Sequence, residues 1–503
     1  MSGPIVIVGA GSSGCVLAAR LTERSDRQVL LLEAGPDYAG RELPRDLSDG
    51  RRNSMMRHDW GYKHKPSKQA IESPLPRGRV VGGSSAVNTC IALRGQPEDY
   101  DEWAALGLAE WSFEQCLPAF KRLEHDRDFR ADYHGDAGPL PVRRHTASEL
   151  VPVQAAFMEA CRELGWQECA DSNEPGKAGF GPHAMNKVDN RRISAAEAYL
   201  TDAVRARPNL RVRANVAVRR VVFENKRAVA IELEGPTGVE RIDASAVILC
   251  AGALNTPGVL LRSGVGPDRE VRRMQCEPVL DAPAVARRLL DHPGTGIFVF
   301  AKRGFRVDFE APIIQCVYRF PSGALDHRAD MLLQPASFTM LPQQPPLFGL
   351  VTQVGKPRGV GSMHYPDAGT RTGPVIHQRF FQDDWDRRLA RESLQRCYAL
   401  LQTRALSAIG RPVLPWGGIL KRDCLLDRFI PYLCDSGYHP SGTVPMGIAP
   451  SENAAVDGRG RMFGLERLYV VDASLMPTIP SSNIHLPTLM IAERMAEWLG
   501  AEL

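Results

Sequence analysis

A chain of 503 residues exceeds the size at which a single hydrophobic core keeps growing, so two domains are expected. Its 62 basic and 58 acidic residues are scattered, for a formal charge of +4, and no dense basic block favours nucleic acid as a partner. Eleven cysteines without a C-x-x-C pair argue against a disulfide framework and against zinc, so no metal is expected.

Residues 4–8 form a Val- and Ile-rich run of the kind that builds a buried parallel strand. The turn Gly9-Ala10-Gly11-Ser12-Ser13-Gly14 follows, and Cys15, Val16, Leu17, Ala19 and Leu21 then recur at helical spacing. Residues 28–32 read as a second strand, ending at Glu33-Ala34. This is a βαβ unit with a dinucleotide site. Gly9 permits the tight turn, Gly11 lets the backbone approach a pyrophosphate, and Gly14 lets helix and strand pack closely. The helix N-terminus favours phosphate charge. Glu33 can accept hydrogen bonds from a ribose hydroxyl pair and would repel a 2′-phosphate. The unit by itself leaves FAD and NAD open.

Gly78 to Asn88 offers a second backbone cradle, in which Gly82 and Gly83 free main-chain N–H groups and Ser84 and Ser85 add hydroxyls. A plain helix cap at Ser84 or Ser85 is the alternative. Val216 to Val222 alternates as a strand, and residues 245–250 read as a buried strand running into Ala251-Gly252. Ile297 to Phe300, Ile313 to Tyr318 and Met331 to Leu333 read as antiparallel strands, and Asp384 to Leu406 as an amphipathic helix. Residues 339–348 are too proline-rich for a strand and read as a loop near a pocket mouth. Leu468 to Val471 is a strand ending at Asp472-Ala473, where Asp472 can also cap a helix. Two histidines stand out: His439 in Tyr438-His439-Pro440-Ser441-Gly442-Thr443, and His485 in Ser482-Asn483-Ile484-His485-Leu486-Pro487-Thr488. No run approaches about 18 apolar residues, so no membrane span is expected. The start lacks a secretory pattern, and a cytoplasmic location is expected.

Gly78-Arg79-Val80-Val81-Gly82-Gly83-Ser84-Ser85-Ala86-Val87-Asn88, followed by Ala92, Gly95 and Asp101, resembles the first signature of the glucose–methanol–choline (GMC) oxidoreductases. Gly252-Ala253-Leu254-Asn255-Thr256-Pro257, running to Gly266, resembles the second. Leu290-Asp291-His292-Pro293 and both histidine segments are also similar to that family, in the same order along the chain. The resemblance implies an α/β FAD-binding Rossmann-like domain with an interleaved α+β substrate-binding cap built on an antiparallel sheet. The FAD-binding part would comprise 1–145, 190–290 and 435–503, and the cap 146–189 and 291–434. It further implies that FAD meets Gly9, Gly11, Ser12, Ser13, Gly14, Glu33, Ala34, Arg79, Gly82, Gly83, Ser84, Asn88, Val218, Ala251, Gly252, Asp472, Ala473 and Pro487, with Val218 beside the adenine. Family members that attach the flavin covalently carry a histidine in the 84–88 loop. Ala86, Val87 and Asn88 stand there in this chain, so non-covalent FAD is expected.

His439 matches the family's general base, and His485 matches the partner position, His or Asn across the family, that hydrogen-bonds the substrate oxygen. A neutral imidazole suits proton removal near neutral pH. Two imidazoles converging on one alkoxide would resist joint protonation. The implied reaction is oxidation of a primary alcohol to an aldehyde, with aromatic or furanic alcohols favoured and O₂ or a quinone or artificial dye as electron acceptor. The alternative is an FAD-containing hydroxynitrile lyase without redox turnover.

Overall fold

The computed structural model describes residues 3–503 except 56, 236, 237, 328, 341, 342, 344 and 371. Strands Ile5–Val8 and Val29–Leu32 flank the helix Ser12–Leu21, and every residue of both strands is buried. Burial on both faces is why these runs are apolar throughout instead of alternating. Val29–Leu32 lies on one side of Ile5–Val8 and Ala246–Leu249 on the other. Leu210–Arg213 and Leu468–Val470 complete a five-stranded sheet in which every pairing is parallel. The chain leaves the first strand to one side and returns on the other, so a crevice opens at the carboxyl end of Ile5–Val8. Helix Ser12–Leu21 packs against the C-terminal helix His485–Glu502. Among the described residues, no helix is long and apolar enough to cross a membrane.

An antiparallel meander, Ala217–Glu224, Arg227–Gly235 and Gly238–Asp243, follows the parallel core in sequence. A larger antiparallel sheet runs in the order Gly410–Leu414, Pro293–Ala301, Leu347–Val354, Met331–Ala336, Cys316–Phe320 and Gly179–Pro182. Cys434–Ser436 pairs with the first half of Pro293–Ala301 and leads directly to the His439 segment. Alternate residues of this sheet, among them Ile297, Val299, Tyr318, Leu333, Phe348 and Leu350, form a second core. Helices Pro152–Glu163 and Asp384–Gln402 cover it.

Three expectations are corrected. The helix expected over Asp384 to Leu406 is two helices, Asp384–Gln402 and Arg404–Ile409, because Thr403 is extended and accepts the Leu406 N–H on its own hydroxyl. The strand expected from Ile313 starts at Cys316, since Gln315 and Cys316 spend their N–H groups on the Gln154 side chain. Of the loop expected at 339–348, residues 341, 342 and 344 lie outside the described residues, and Leu347-Phe348 already belong to a strand.

Glu124, Asp126 and His134 bring metal-ligand atoms within 4.8 Å of one another, a grouping that sequence spacing does not reveal. Their charges are already engaged. Arg94 pairs with Glu124, and Arg144 with Asp126 at 2.8 Å and with Asp171. His134 lies 3.0 Å from Glu124 through Nδ1 and 2.8 Å from Asp171 through Nε2. Three carboxylates thus face two guanidinium groups, and a protonated His134 closes the balance. Burial disfavours that cation, but the hydrogen bonds to Asp171 and Glu124 outweigh it and raise its pKa. The resulting stabilisation is present below the ordinary imidazole value of about 6.5 and is lost as pH rises through the raised folded value. His134→Gln is expected to lower the thermal midpoint most at about pH 5.5, on the scale of a broken buried pair, about 3 kcal/mol. The gap to wild type should narrow at about pH 9; equal gaps at both pH values would mean a neutral His134.

Candidate active site

The crevice is a long cavity walled by Val8, Gly9, Leu32, Glu33, Cys250, Ala251 and Asp472, where four strands of the parallel sheet end. Gly9 has a φ of +100°, and a Cβ there would lie 2.5 Å from the Cys250 carbonyl oxygen. A Cβ on Gly14 would lie 1.9 Å from the Gly9 carbonyl oxygen, so Gly14 serves the contact between turn and helix and is not part of the wall. The second glycine loop locks onto the first. The Gly82 N–H donates to the Ala10 carbonyl at 2.7 Å, and a Cβ on Gly83 would lie 2.7 Å from the Gly11 Cα. In the short 3₁₀ turn Gly83–Ala86, Ser85 donates to the Gly82 carbonyl and accepts the Ala195 N–H, Ser84 accepts the Gly78 N–H at 3.2 Å, and both serines line the cavity.

These features fit FAD. Gly11 caps the helix Ser12–Leu21 without a side-chain bond, and its first turn carries no acid. The first-turn N–H groups and the positive end of the dipole are therefore available to a diphosphate. Glu33 is 6 % exposed and accepts the Ala10 N–H at 3.0 Å and the Gly35 N–H at 2.8 Å. Its remaining lone pairs suit a ribose hydroxyl pair. Burial pushes its pKa up to about 7, against the pull of those N–H groups. Val218 and Val259 supply an apolar wall on the same side. Asp472 lines the cavity, but its carboxylate is spent on protein. It caps the turn Ala473–Leu475 through the Ser474 N–H at 2.8 Å and holds the Gly252 N–H at 2.8 Å and the Thr256 hydroxyl at 2.6 Å.

Gly9, Gly11, Ser12, Ser13, Glu33, Ala34, Gly83, Ser84, Asn88, Val218, Ala251, Gly252, Asp472 and Ala473 share this one cavity with His439 and His485. Gly14, Arg79, Gly82 and Pro487 do not line it. Gly82 instead joins the two loops, and Arg79 is exposed, its guanidinium 5.2 Å from the Trp60 ring. Pro487 is buried in the first turn of the C-terminal helix.

His439 follows Tyr438, a bulky residue at a φ of +63°. Such a conformation costs about 1–2 kcal/mol and needs the surroundings to hold it. Ser436 Oγ accepts the Tyr438 N–H at 2.7 Å, Arg77 donates to its carbonyl at 2.8 Å, and Asp291 accepts the His439 N–H at 2.9 Å. The His439 ring is buried between two partners: Nδ1 lies 2.9 Å from His292 Nδ1, and Nε2 lies 3.0 Å from Asn483 Nδ2. Burial, reinforced by the charge of Arg77, holds its pKa well below the ordinary imidazole value, so the ring is neutral.

His439 Nε2 is hydrogen-bonded to Asn483, and His485 stands in the wall of the same cavity. The C-terminal helix begins at His485, and Asn483 lies just before the helix starts. The His485 Nε2 is shielded without a hydrogen-bond partner, and burial lowers its pKa to about 4. Two residues were thus missed as members of the constellation. Asn483 stands in the same tetrapeptide as His485 and is of the residue type allowed at the partner position. His292 stands in the Asp291-His292 pair, whose spacing from His439 along the chain gives no hint of contact.

Two GMC oxidoreductase family models match residues 4–294 and 357–492. The chain is 33 % identical to an oxygen-dependent choline dehydrogenase of Chromohalobacter salexigens, over 98 % of this chain and 94 % of that one. It is 31 % identical to a 5-(hydroxymethyl)furfural oxidase of Methylovorus sp., over 98 % and 97 %. The crystal structure of pyridoxine 4-oxidase from Mesorbium loti superposes with a TM-score of 0.91 at 29 % identity, covering 99 % of both chains. A likeness that runs through both sheets and through the loops between them settles the matter: the chain belongs to the GMC oxidoreductases, FAD-dependent enzymes that act on the CH–OH group of their donors.

Proposed function

We propose that this enzyme oxidises a primary alcohol to an aldehyde, with His439 as general base and Asn483 as the residue that hydrogen-bonds the substrate oxygen. The carrying observation is a neutral imidazole in the cavity wall whose Nε2 faces a side-chain amide at 3.0 Å. When bound, FAD supplies the acceptor for the hydride. The glycine loops around Gly11 and Gly83 would hold its diphosphate, Glu33 its ribose and Val218 its adenine. When the alcohol enters, the Asn483 amide N–H shifts from His439 Nε2 to the substrate oxygen, and the freed Nε2 lone pair takes the hydroxyl proton. That donation strengthens as negative charge develops, so it favours the transition state over the bound alcohol. The loop opposite presents Val87 and Asn88 to the cavity and no histidine, which supports non-covalent FAD. We assign 1–145, 190–290 and 435–503 to FAD binding and 146–189 and 291–434 to the substrate side.

The names of the furfural and pyridoxine oxidases support an aromatic or furanic hydroxymethyl substrate. They also support O₂ as electron acceptor over a quinone or dye. Anaerobic mixing with a panel of primary alcohols should bleach the flavin with one of them, and admitted air should restore the colour. Bleaching without recolouring would make the enzyme a dehydrogenase. His439→Ala should keep FAD and slow flavin reduction by at least about 10²-fold, and Asn483→Ala by about 10²-fold. An unchanged stopped-flow rate in either variant would remove that residue from the mechanism. Acid precipitation of the holoenzyme should release the yellow colour into the supernatant; a yellow pellet would show a covalent bond.

A further inference from the structure

His292 takes no part in the reaction as written above, yet it touches the base. It lies just before the strand Pro293–Ala301 and is 2 % exposed. Its Nε2 stands 2.9 Å from the Pro480 carbonyl oxygen and 3.1 Å from that of Gly355. Carbonyl oxygens only accept, so Nε2 carries a hydrogen. Burial holds the His292 pKa down at about 4, so the ring is neutral and its Nδ1 is a lone pair. His439 Nδ1 lies 2.9 Å from that lone pair, and the hydrogen between them therefore belongs to His439. A neutral His439 is then left with its own lone pair on Nε2, the nitrogen that the Asn483 amide approaches. From the amide to the two carbonyls, every bond runs in one direction.

We propose that His292 is a positioning residue that fixes the tautomer of His439, keeping the basic lone pair on Nε2, and that it does so as a neutral acceptor where Ser-His-Asp triads use a carboxylate. The inference rests on His439 being the base. In the proton step the alcohol O–H bond breaks, its electron pair stays on the oxygen, and the proton bonds to Nε2. The Nδ1–H stays on His439 and strengthens toward His292. A neutral partner orients the ring without the Coulomb attraction that would make it cationic beforehand. Arg77 is the charged group facing the His439 ring, while Asp291 binds its main-chain N–H. Asp99 and Lys356 face His292 with opposite signs.

The test follows flavin reduction by the alcohol against pH in holoenzymes carrying His292→Leu, His292→Asn and His292→Asp. Leucine removes the acceptor and should cost about 10²-fold in rate, whereas asparagine keeps an acceptor and should recover most of it. Aspartate adds a charge beside Nδ1 and should move the acid limb of the profile upward by at least about one pH unit. A wild-type rate in the leucine variant, or an unmoved acid limb in the aspartate variant, would overturn the proposal. If the leucine variant fails to fold, the asparagine and aspartate variants carry the test. Nitrogen-15 NMR of histidine-labelled wild type gives a reading that needs no substitution. Protonated Nδ1 and bare Nε2 on His439 are expected, and the reverse pattern would overturn the assignment. Normal reduction by His439→Ala would instead sink the base assignment, while the NMR pattern would still decide the tautomer.

Discussion

Asp291 is 2 % exposed, and its carboxylate accepts the N–H groups of His292 and His439, the Ser436 hydroxyl and the Gln378 amide. Those donors come from stretches of chain far apart in sequence. Burial raises the Asp291 pKa, and the Ser436 and His439 donors oppose that rise. A buried charge stripped of such partners costs several kcal/mol, so each partner is held in place by the cost of its absence. The knot delivers the His439 main chain beside the cavity and places His292 on its ring. It also helps to hold the Tyr438 backbone in a conformation that a tyrosine does not adopt unaided.

The two ends of the cavity meet opposite electrostatic demands. The diphosphate end requires a close approach of backbone and a positive field, which glycines and a helix N-terminus supply. The histidine end, for the role proposed for His439, requires an imidazole that is free of its second proton. There burial and the neighbouring Arg77 both favour the neutral ring, and a neutral second imidazole orients it without adding a negative charge. An acid beside the ring would have oriented it equally well but would have favoured its cation. The cap sheet helps to set this end, because Cys434–Ser436 pairs with the start of the strand Pro293–Ala301 immediately ahead of His439.

Local signals were enough for much of this architecture. The apolar runs at 5–8, 29–32 and 246–249 are strands because all three are buried on both faces, and the glycine spacing between the first two marks the turn. The glycines could be read because their requirement is local: a positive φ, or a carbonyl within van der Waals reach of any Cβ. The break at Thr403 was not legible, since the helical period runs on through it and only the hydroxyl's preference for capping ends the first helix. The Glu124, Asp126, His134 and Asp171 network was not legible either. Its members are scattered, and only the fold decides that Arg94 and Arg144 occupy the carboxylates that an ion would otherwise claim.

The sequence by itself determined the βαβ unit, the two glycine loops, the family resemblance and the identity of His439, because each is carried by residues adjacent in the chain. Tertiary structure alone decided which side chains meet the His439 ring. His485 and Asn483 are two residues apart, and both are chemically suited to the role. The helix starts at the first of them, and the second hydrogen-bonds His439. His292 reaches His439 across 147 residues, through a contact that depends on two sheets and a buried carboxylate. Local preference can specify a turn or a strand, but a hydrogen bond between distant rings exists only once the long-range packing has brought them together.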